Sequence, residues 1–369
     1  MLFRILYAGI LVVLMEFSPL AAQSYDRPSS TRSARSMVLA KRGAVCASQP
    51  LATAAGLAVL RKGGNAFDAA VATAAVLNVV EPMSTGIGGD MFVLAWSAKE
   101  KKLVGLNGSG RSAAKASVES YRALGLNRIP TFGAHAVTVP GAFHGWCALI
   151  DKYGSLPLKD ILADAIGYAE DGFPVSEVIA GNWRSGMRHQ GVPEFAKNYL
   201  VREGDQWRSP RLGEIFRQPD LGKTFRELAT GGIEHFYRGD LGRRIASYLE
   251  SRGSLIRFDD LQKHSSTWVE PVSTEYKGHQ LYELPPNGQG IVALEILNIL
   301  EAYDLRSLGH NSADYIHLFT EAKKLAFADR DTFVTDLDTR KLPVETLISK
   351  EYAAKMRARI DPKRAKKFP

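Results

Sequence analysis

The sequence contains very little cysteine. Two cysteines, Cys46 and Cys147, occur in 369 residues, which excludes a disulfide-rich scaffold and a four-cysteine zinc site. The eight histidines show neither the H-x-x-x-H nor the H-E-x-x-H spacing that is typical of zinc enzymes. We therefore expect each histidine to be a surface residue or a hydrogen-bonded core residue. A disulfide between the two cysteines would be possible in an exported protein, but two buried free thiols are the simpler expectation.

The apolar run at the N-terminus is too short for a comfortable membrane span. It covers residues 5–15, whereas a transmembrane helix needs ~20 residues. Pro19 and a Leu-Ala-Ala sequence follow the run, an order that is typical of a secretory signal peptide. Residues 1–22 are therefore predicted to be a signal peptide and residues 23–36 a flexible leader. This predicts a periplasmic or secreted protein with no stable membrane anchor; an uncleaved anchor is the alternative.

The folded part of the sequence lacks a stretch of one charge sign. The formal net charge is +8, but the basic excess is concentrated in residues 27–42 and 355–367. A nucleic-acid-binding protein usually shows a basic stripe with aromatic residues or a known module. No nucleic-acid partner is therefore predicted, and residues 362–369 are predicted to form a solvated basic tail.

Residues 37–361 are predicted to form one mixed α/β domain. Apolar residues make up 45% and charged residues 23% of the chain, as in globular proteins, and no linker interrupts the domain. The apolar residues 91–96 predict a buried central strand, paired as a hairpin with residues 101–106. Helices are predicted to begin at Pro50, after Asn65 and after Ser312, and to cover 142–153, 157–172, 240–249 and 291–300. Short strands are predicted at 38–40, 44–47, 135–139, 268–272 and 280–284. Residues 181–219 are predicted to form a long irregular excursion.

The loop after the hairpin, with the sequence Asn-Gly-Ser-Gly-Arg-Ser at residues 107–112, is the most suggestive local site. Its two glycines allow several backbone N–H groups to point toward one anion. Arg111 adds a planar guanidinium that matches a carboxylate through two parallel hydrogen bonds. The loop therefore predicts a carboxylate site, with an ordinary surface turn as the alternative. Glu81 and Asp90 are expected to hold the loop.

No catalytic pair is recognisable in the sequence. Ser109 does not lie in the G-x-S-x-G sequence of a nucleophile elbow, because Asn107 stands two residues before it. No other candidate supplies both a nucleophile and its base. No catalytic residue is therefore assigned, and the hydroxyls of Ser84, Thr85 and Ser109 are the first to test if the chain proves active alone.

Four separated segments resemble, in order, sequence motifs of the γ-glutamyltranspeptidases. They are GGNAFDAAVA at 63–72, EPMSTGIGGD at 81–90, VPG at 139–141 and PPNGQG at 285–290. The resemblance implies an α+β fold, the αββα sandwich of N-terminal nucleophile hydrolases. It also implies self-cleavage into a large and a small subunit, hydrolysis or transfer of γ-glutamyl groups from glutathione and related amides, and no metal or organic cofactor.

The resemblance places the nucleophile outside this sequence. In the family a threonine at the start of the small subunit attacks the substrate, and its α-amino group can act as the base. This threonine is expected beyond residue 369. The family arginine that pairs with the substrate α-carboxylate corresponds to Arg111. The chain is therefore predicted to be the large-subunit portion, inactive alone and an incomplete sandwich without its small-subunit partner.

Two other functions remain open. The loop at residues 107–110 resembles a bacterial branch of the family more than the glutathione-specific types, so a cephalosporin or glutaryl acylase is one alternative. The other is a non-catalytic periplasmic protein that binds carboxylates through Arg111. A coding segment for a small subunit after residue 369 would distinguish an enzyme from this binding protein.

Overall fold

The structure, a computed structural model, describes residues 38–367. The predicted signal peptide (1–22) and leader (23–36) lie outside the described residues and stay predictions. Among the described helices, none combines the length and the apolar character that crossing a bilayer requires.

The chain divides into a short unit, Met1–Ala44, and a large unit, Val45–Pro369. Residues 38–44, the described part of the short unit, form neither helix nor strand. The strands predicted at 38–40 and 44–47 are therefore wrong. Most of these residues are exposed. An extended segment forms a strand only beside a partner strand, and an apolar sequence alone does not provide that partner strand.

The large unit is mainly helical. Short 3₁₀ segments lie at Ala134–Ala136 and Arg184–His189, and a π-helical segment lies at Glu234–Arg238. The α-helices are α1 (Pro50–Arg61), α2 (Ala66–Val80), α3 (Val118–Ala123), α4 (Ala142–Tyr153), α5 (Leu158–Ile161), α6 (Ala163–Glu170), α7 (Glu177–Trp183), α8 (Pro193–Tyr199), α9 (Pro219–Ile233), α10 (Asp240–Ser251), α11 (Phe258–Gln262), α12 (Gly290–Leu300), α13 (Ala313–Phe333), α14 (Val344–Leu347) and α15 (Lys350–Arg357).

The strands form one three-stranded sheet and three small ribbons. The sheet has the order β1-β2-β7 and is antiparallel throughout, with Met91 opposite Gly108 and Leu106 opposite Trp268. The strands are β1 (Met91–Ser97), β2 (Lys102–Gly108), β3 (Phe173–Pro174), β4 (Val201–Glu203), β5 (Gln206–Arg208), β6 (Ile215–Phe216), β7 (Thr267–Val269), β8 (Val272–Tyr276) and β9 (His279–Glu283).

Strand β1 is an edge strand of the described sheet, not the buried central strand that the sequence predicts. The predicted hairpin with β2 is confirmed. Phe92, Leu94 and Trp96 are 48%, 41% and 61% exposed, whereas Val93 and Ala95 between them are partly buried. The continuous apolar sequence thus reflects two apolar faces, of which the described residues cover one.

Helix α2 begins at a strong cap, Asn65, as the sequence predicts. The Asn65 side chain accepts hydrogen bonds from the N–H groups of Phe67 and Asp68, and Asp68 accepts one from the Asn65 N–H. Asp68 is fully buried and also accepts hydrogen bonds from the N–H and hydroxyl of Ser155, at 3.0 and 2.6 Å. This carboxylate therefore ties the start of α2 to the chain just after α4.

The middle of the chain departs most from the expectation. The strand predicted at residues 135–139 is wrong: Ala134–Ala136 form a 3₁₀ segment, and the Val139 N–H donates to the carbonyl oxygen of Arg111. The helix predicted at 157–172 is interrupted after α5, and α6 ends at Glu170. The excursion at 181–219 contains α8 and the strands β4, β5 and β6. The predicted helices α4, α10 and α12 are confirmed.

Two apolar clusters organise the large unit. The larger joins α1, α2, α4, α6, α9 and α10 and includes the buried side chains of Phe143, Phe225 and Phe236. The smaller joins α12, α13 and α15 around Ile299 and Leu325.

Both cysteines are free, as expected, but only one is buried. Cys147 lies in α4, where burial raises the pKa of its thiol to about 12. Cys46 is exposed. The expectation of two buried thiols is therefore wrong for Cys46, whose small apolar neighbours lie in a surface segment.

Candidate active site

A cleft opens where strand β2 ends. Its volume is about 300 Å³. One wall is the loop at residues 107–112, which we call the glycine loop, and the opposite wall is formed by residues 335–338. Residues at and before β7 and the Pro286-Asn287 segment close the cleft between these walls. The structure therefore brings the most suggestive loop of the sequence into a concave site.

The glycine loop is packed directly against the chain before α4. The Gly110 N–H donates to the Asp90 carboxylate at 2.7 Å, and the Val139 N–H donates to the Arg111 carbonyl oxygen at 2.9 Å. A Cβ on Gly110 would lie 1.6 Å from the Val139 carbonyl oxygen, and one on Gly141 would lie 2.2 Å from the Gly108 carbonyl oxygen. Glycine is needed at both positions because two backbone segments touch there.

A chain of amide side chains joins two of the sequence motifs. Asn107 donates to the Asn287 side-chain oxygen at 2.7 Å, and Asn287 donates to the Ser109 hydroxyl oxygen at 2.8 Å. The Ser109 N–H in turn donates to the Asn107 side-chain oxygen at 3.0 Å. The side-chain partner of the Ser109 hydroxyl is thus an amide, which cannot act as a general base.

Arg111 points into the cleft and already has two acidic partners. Its Nη1 donates to Asp336 Oδ2 at 2.8 Å, and its Nη2 donates to Asp338 Oδ2 at 2.6 Å. The Arg111 side chain is about half exposed. The guanidinium is therefore accessible and capable of binding a carboxylate, but in this structure the chain itself supplies the carboxylates.

Two histidines and a tyrosine lie behind the glycine loop. Tyr237 donates its hydroxyl to the Pro140 carbonyl oxygen at 2.6 Å and accepts the N–H of His144 at 3.1 Å. The His264 ring stacks on Tyr237 at 5.3 Å between centroids. His264 is 3% exposed, and neither ring nitrogen has a hydrogen-bond partner among residues 38–367. The expectation of a satisfied or surface histidine is therefore wrong for His264.

The His264 imidazole is uncharged at neutral pH. Burial lowers its pKa, and the nearby His144 and Arg111 add to this effect, to a value of about 4. Burial also lowers the pKa of His144. The two rings therefore add no positive charge behind the cleft, and Arg111 is left as the cation that faces an incoming anion.

The other residues flagged in the sequence take supporting positions. Asp90 holds the glycine loop, as expected. Glu81 directly follows α2 and accepts a hydrogen bond from the Ser48 hydroxyl; it does not line the cleft and, contrary to the expectation, forms no hydrogen bond to the glycine loop within the described residues. Thr85 accepts a hydrogen bond from Asn78, and neither it nor Ser84 lines the cleft. Of the three hydroxyls, the structure thus brings only Ser109 to Arg111.

The sequence alone did not predict the acidic wall of the cleft, which Asp336 and Asp338 form. Asp336 and Asp338 follow the long helix α13 and lie more than 220 positions after Arg111. The two-residue spacing of the aspartates gave no signal by itself, because such pairs are common in surface turns. Asn287 lies in the PPNGQG motif, for which the family resemblance assigned no role to this residue. Within residues 38–367, no cluster of three or more His, Cys, Asp or Glu side chains is arranged to hold a metal ion.

Comparison with known proteins gives a consistent result. The sequence model of the γ-glutamyltranspeptidase family matches residues 52–369. The glutathione hydrolase-like YwrD proenzyme of Bacillus subtilis (strain 168) is 39% identical over 311 residues, which make up 84% of this chain and 58% of that protein. The chain thus spans less than two thirds of the length of this relative.

Two solved structures are similar over most of the chain. The cephalosporin acylase from Bacillus halodurans superimposes with a TM-score of 0.82 and 41% identity, covering 93% of this chain and 63% of that one. The γ-glutamyltranspeptidase of Helicobacter pylori superimposes with a TM-score of 0.83 and 31% identity, covering 90% of this chain and 95% of that one. These similarities confirm the predicted α+β fold of the N-terminal nucleophile hydrolase type.

Proposed function

Because the chain belongs to the γ-glutamyltranspeptidase family, as its motifs predicted, we propose that it is the large-subunit portion of an enzyme that hydrolyses or transfers γ-glutamyl groups. The substrates are glutathione and related amides. A threonine nucleophile beyond residue 369 acts on the γ-amide, and Arg111 holds the α-carboxylate. The observation that carries this proposal is the position of Arg111, which lies half exposed in the wall of a cleft beside a glycine loop.

The chemistry of the cleft supports this role for Arg111. A γ-glutamyl group carries its α-carboxylate several bonds away from the amide that reacts, so one cation can fix the substrate without touching the reacting atoms. Arg111 can do so through two parallel hydrogen bonds. The uncharged His264 and His144 behind the loop leave this cation as the attraction for the carboxylate. No cofactor is required, since the proposed reaction is acyl transfer to a hydroxyl and then to water or an amine.

Two further observations support the subunit assignment. The chain spans 58% of a relative whose name describes a proenzyme, whereas it covers 95% of the matched Helicobacter pylori chain. The exposed face of β1 is apolar, with Phe92, Leu94 and Trp96 side by side. A small subunit that continues the sheet and covers this face would complete the sandwich. On this proposal the nucleophile belongs to the small subunit, so the large-subunit portion alone is inactive.

The test is release of the chromogenic amine from a γ-glutamyl anilide. We expect no turnover by the full chain alone, and turnover when it is produced together with a small subunit, from its own gene or from the Bacillus subtilis relative. In this completed enzyme, Arg111→Ala should raise the KM at least ~30-fold, equivalent to about 2 kcal/mol or more of lost binding. Arg111→Lys should not restore it, because an ammonium cannot form the planar pair of hydrogen bonds.

A matched control separates this effect from the loss of any paired surface arginine. Arg226 pairs with Glu170 through Nε and Nη2, away from the cleft. Arg226→Ala should leave the KM within about twofold. An unchanged KM in Arg111→Ala would contradict the proposed role, and turnover by the repeatedly purified chain alone would mean that the nucleophile lies within residues 1–369.

A cephalosporin or glutaryl acylase is the second candidate. The 41% identity to the Bacillus halodurans cephalosporin acylase favours it. A glutaryl group has the same terminal carboxylate but no α-ammonium group, so glutaryl and γ-glutamyl anilides distinguish the two enzymes directly. Faster turnover of the glutaryl substrate would assign an acylase. Binding of either compound without turnover by the completed protein would assign a non-catalytic carboxylate-binding protein.

The proposed location is the periplasm or the exterior of the cell. It depends on the predicted signal peptide at residues 1–22. Mass spectrometry of the purified protein should show an N-terminus close to Ala22. Retention of Met1 on most molecules would contradict export by cleavage.

A further inference from the structure

We propose that residues 334–343, which we call the acidic arm, occupy Arg111 in the free chain and compete with the substrate carboxylate for its guanidinium. The arm contributes Asp336 and Asp338, which thereby set how tightly a carboxylate binds in the cleft. This inference rests on the proposed function, because the ligand that displaces the arm is the carboxylate assigned there to Arg111.

The arm brings two carboxylates to the two outer nitrogens of one guanidinium. It connects α13 to α14 and contains neither helix nor strand. Asp336 accepts from Arg111 Nη1 at 2.8 Å and Asp338 accepts from Nη2 at 2.6 Å. These nitrogens are among the donors that a substrate carboxylate would use. The contacts therefore imitate part of the substrate interaction.

The arm is folded so that both carboxylates face the same way. The Asp336 carboxylate accepts the Asp338 N–H at 3.0 Å, and the Asp336 carbonyl oxygen accepts the Thr339 hydroxyl at 2.8 Å. The Thr339 N–H also donates to that carbonyl oxygen, at 3.1 Å. These bonds lie within residues 335–341, so this central part of the arm can move as a unit without losing them, while Leu342 beyond it is buried.

Arg111 is the external hydrogen-bond partner of residues 335–341, the central part of the arm; at its two ends, the Val334 N–H donates to Arg330 and the Pro343 carbonyl oxygen accepts from Leu347. Within the described chain, every hydrogen bond that leaves residues 335–341 ends on Arg111. The Asp336 and Asp338 side chains are 43% and 70% exposed. Exposed ion pairs stabilise a structure only weakly. A ligand that brings its own carboxylate can therefore replace the arm at a small cost in free energy.

The local charge makes the exchange competitive. Arg111 with Asp336 and Asp338 carries a net charge of about −1 when both carboxyls are ionised. A further carboxylate is repelled while both aspartates stay in place and is attracted once they withdraw. The arm and the carboxylate ligand therefore exclude each other.

The test measures how well a dicarboxylate shields Arg111 from an arginine reagent in the full chain. Phenylglyoxal modifies guanidinium groups, and mass spectrometry of the Arg111 peptide gives its rate. In Asp336→Asn/Asp338→Asn, we expect Arg111 to react several-fold faster than in the wild type. Glutarate should then protect it at a roughly three- to tenfold lower concentration, because two exposed ionic contacts no longer compete.

Two controls make the result specific. Glu345→Gln removes an exposed carboxylate of the next helix that has no contact with Arg111, and it should change neither value. The reaction of Arg226, whose partner Glu170 is unchanged, reports the reagent itself in every sample. In the completed enzyme, the double variant should likewise lower the KM for a γ-glutamyl anilide with little change in kcat.

Equal protection by glutarate in wild type and double variant would overturn the competition but leave the proposed carboxylate site intact. No protection in any variant would overturn both. L-glutamate distinguishes a third arrangement, in which the two aspartates bind the α-ammonium group of the ligand. The double variant would then lose affinity for L-glutamate while its affinity for glutarate stayed unchanged. That result would also overturn the competition.

Discussion

The two walls of the cleft are held in opposite ways. The glycine loop touches backbone on one side and amide side chains on the other, with Gly110 so close to Val139 that no Cβ fits. Residues 335–341 of the acidic arm are held across the cleft by ionic contacts of exposed side chains to Arg111. A fixed wall can keep a binding cation in place, while the movable wall determines when that cation is available. This contrast predicts large effects on stability from one wall and small effects from the other.

Gly110→Ala should give the largest effect. The added Cβ would lie 1.6 Å from the Val139 carbonyl oxygen, and backbone cannot move aside as a flexible side chain can. We expect a loss of about 3 kcal/mol or more in the free energy of unfolding, or failure to fold. Urea denaturation followed by circular dichroism measures it. Gly88→Ala is the control, because nothing lies within 4 Å of its Cβ, and a similar loss there would show that the close approach is not the cause.

Glu295→Gln tests the packing of α12 against α13, the helix that leads into the acidic arm. Glu295 is 2% exposed in α12, and burial beside Asp329 of α13 raises its pKa to about 8. Folding therefore favours the protonated form, so stability falls as the pH rises from about 4.5 to 8. The variant should lack this fall and exceed the wild type by about 2–4 kcal/mol at pH 9. Parallel unfolding curves for the two proteins from pH 5 to 9 would contradict this.

His264→Gln tests the support behind the glycine loop, with the opposite pH dependence. The pKa of His264 is lowered to about 4, so the folded state holds this ring uncharged. Stability should be fully present above about pH 6.5 and be lost as the pH falls toward 4, by about 1–3 kcal/mol. The variant should lose less over this range. Thermal unfolding between pH 4 and 7 measures the difference, and an equal acid loss in both proteins would exclude His264 as its source.

Asp338→Asn should give the smallest change in stability. Its side chain is 70% exposed, and an exposed ion pair contributes about 0–1 kcal/mol. We expect the free energy of unfolding to change by less than about 0.5 kcal/mol. Chemical denaturation of the wild type and the variant in the same buffer measures it. A loss as large as that of Gly110→Ala would mean that the arm is a structural wall and not a movable one.

The sequence predicted the parts of this site that depend on local signals. Pro50, Asn65 and the glycines that follow α1 determined the first helices, and the hairpin of β1 and β2 followed from two apolar runs. The glycine loop and Arg111 were found because residue type and spacing suit an anion. These features need few distant contacts, so their signals are complete within about ten residues.

The remaining parts depend on contacts between distant segments. Asp336 and Asp338 become part of the site only because α13 ends beside β2. The exposure of Phe92 and Trp96 depends on what covers β1, which an apolar strand sequence does not specify. His264 lacks hydrogen-bond partners because of the rings and helices around it. None of these contacts leaves a periodic pattern in the sequence.

The exposed face of β1 also has a spectroscopic consequence. Trp96 is 61% exposed, whereas Trp146 and Trp183 are 3% and 2% exposed. An indole in water emits at longer wavelength than one in an apolar environment, so the exposed Trp96 contributes to the red edge of the emission of the chain, together with the partly buried Trp207 and Trp268. The emission of Trp96 will shift to shorter wavelength when another polypeptide covers the strand. The edge of the sheet thus carries a native optical reporter for any polypeptide that covers β1.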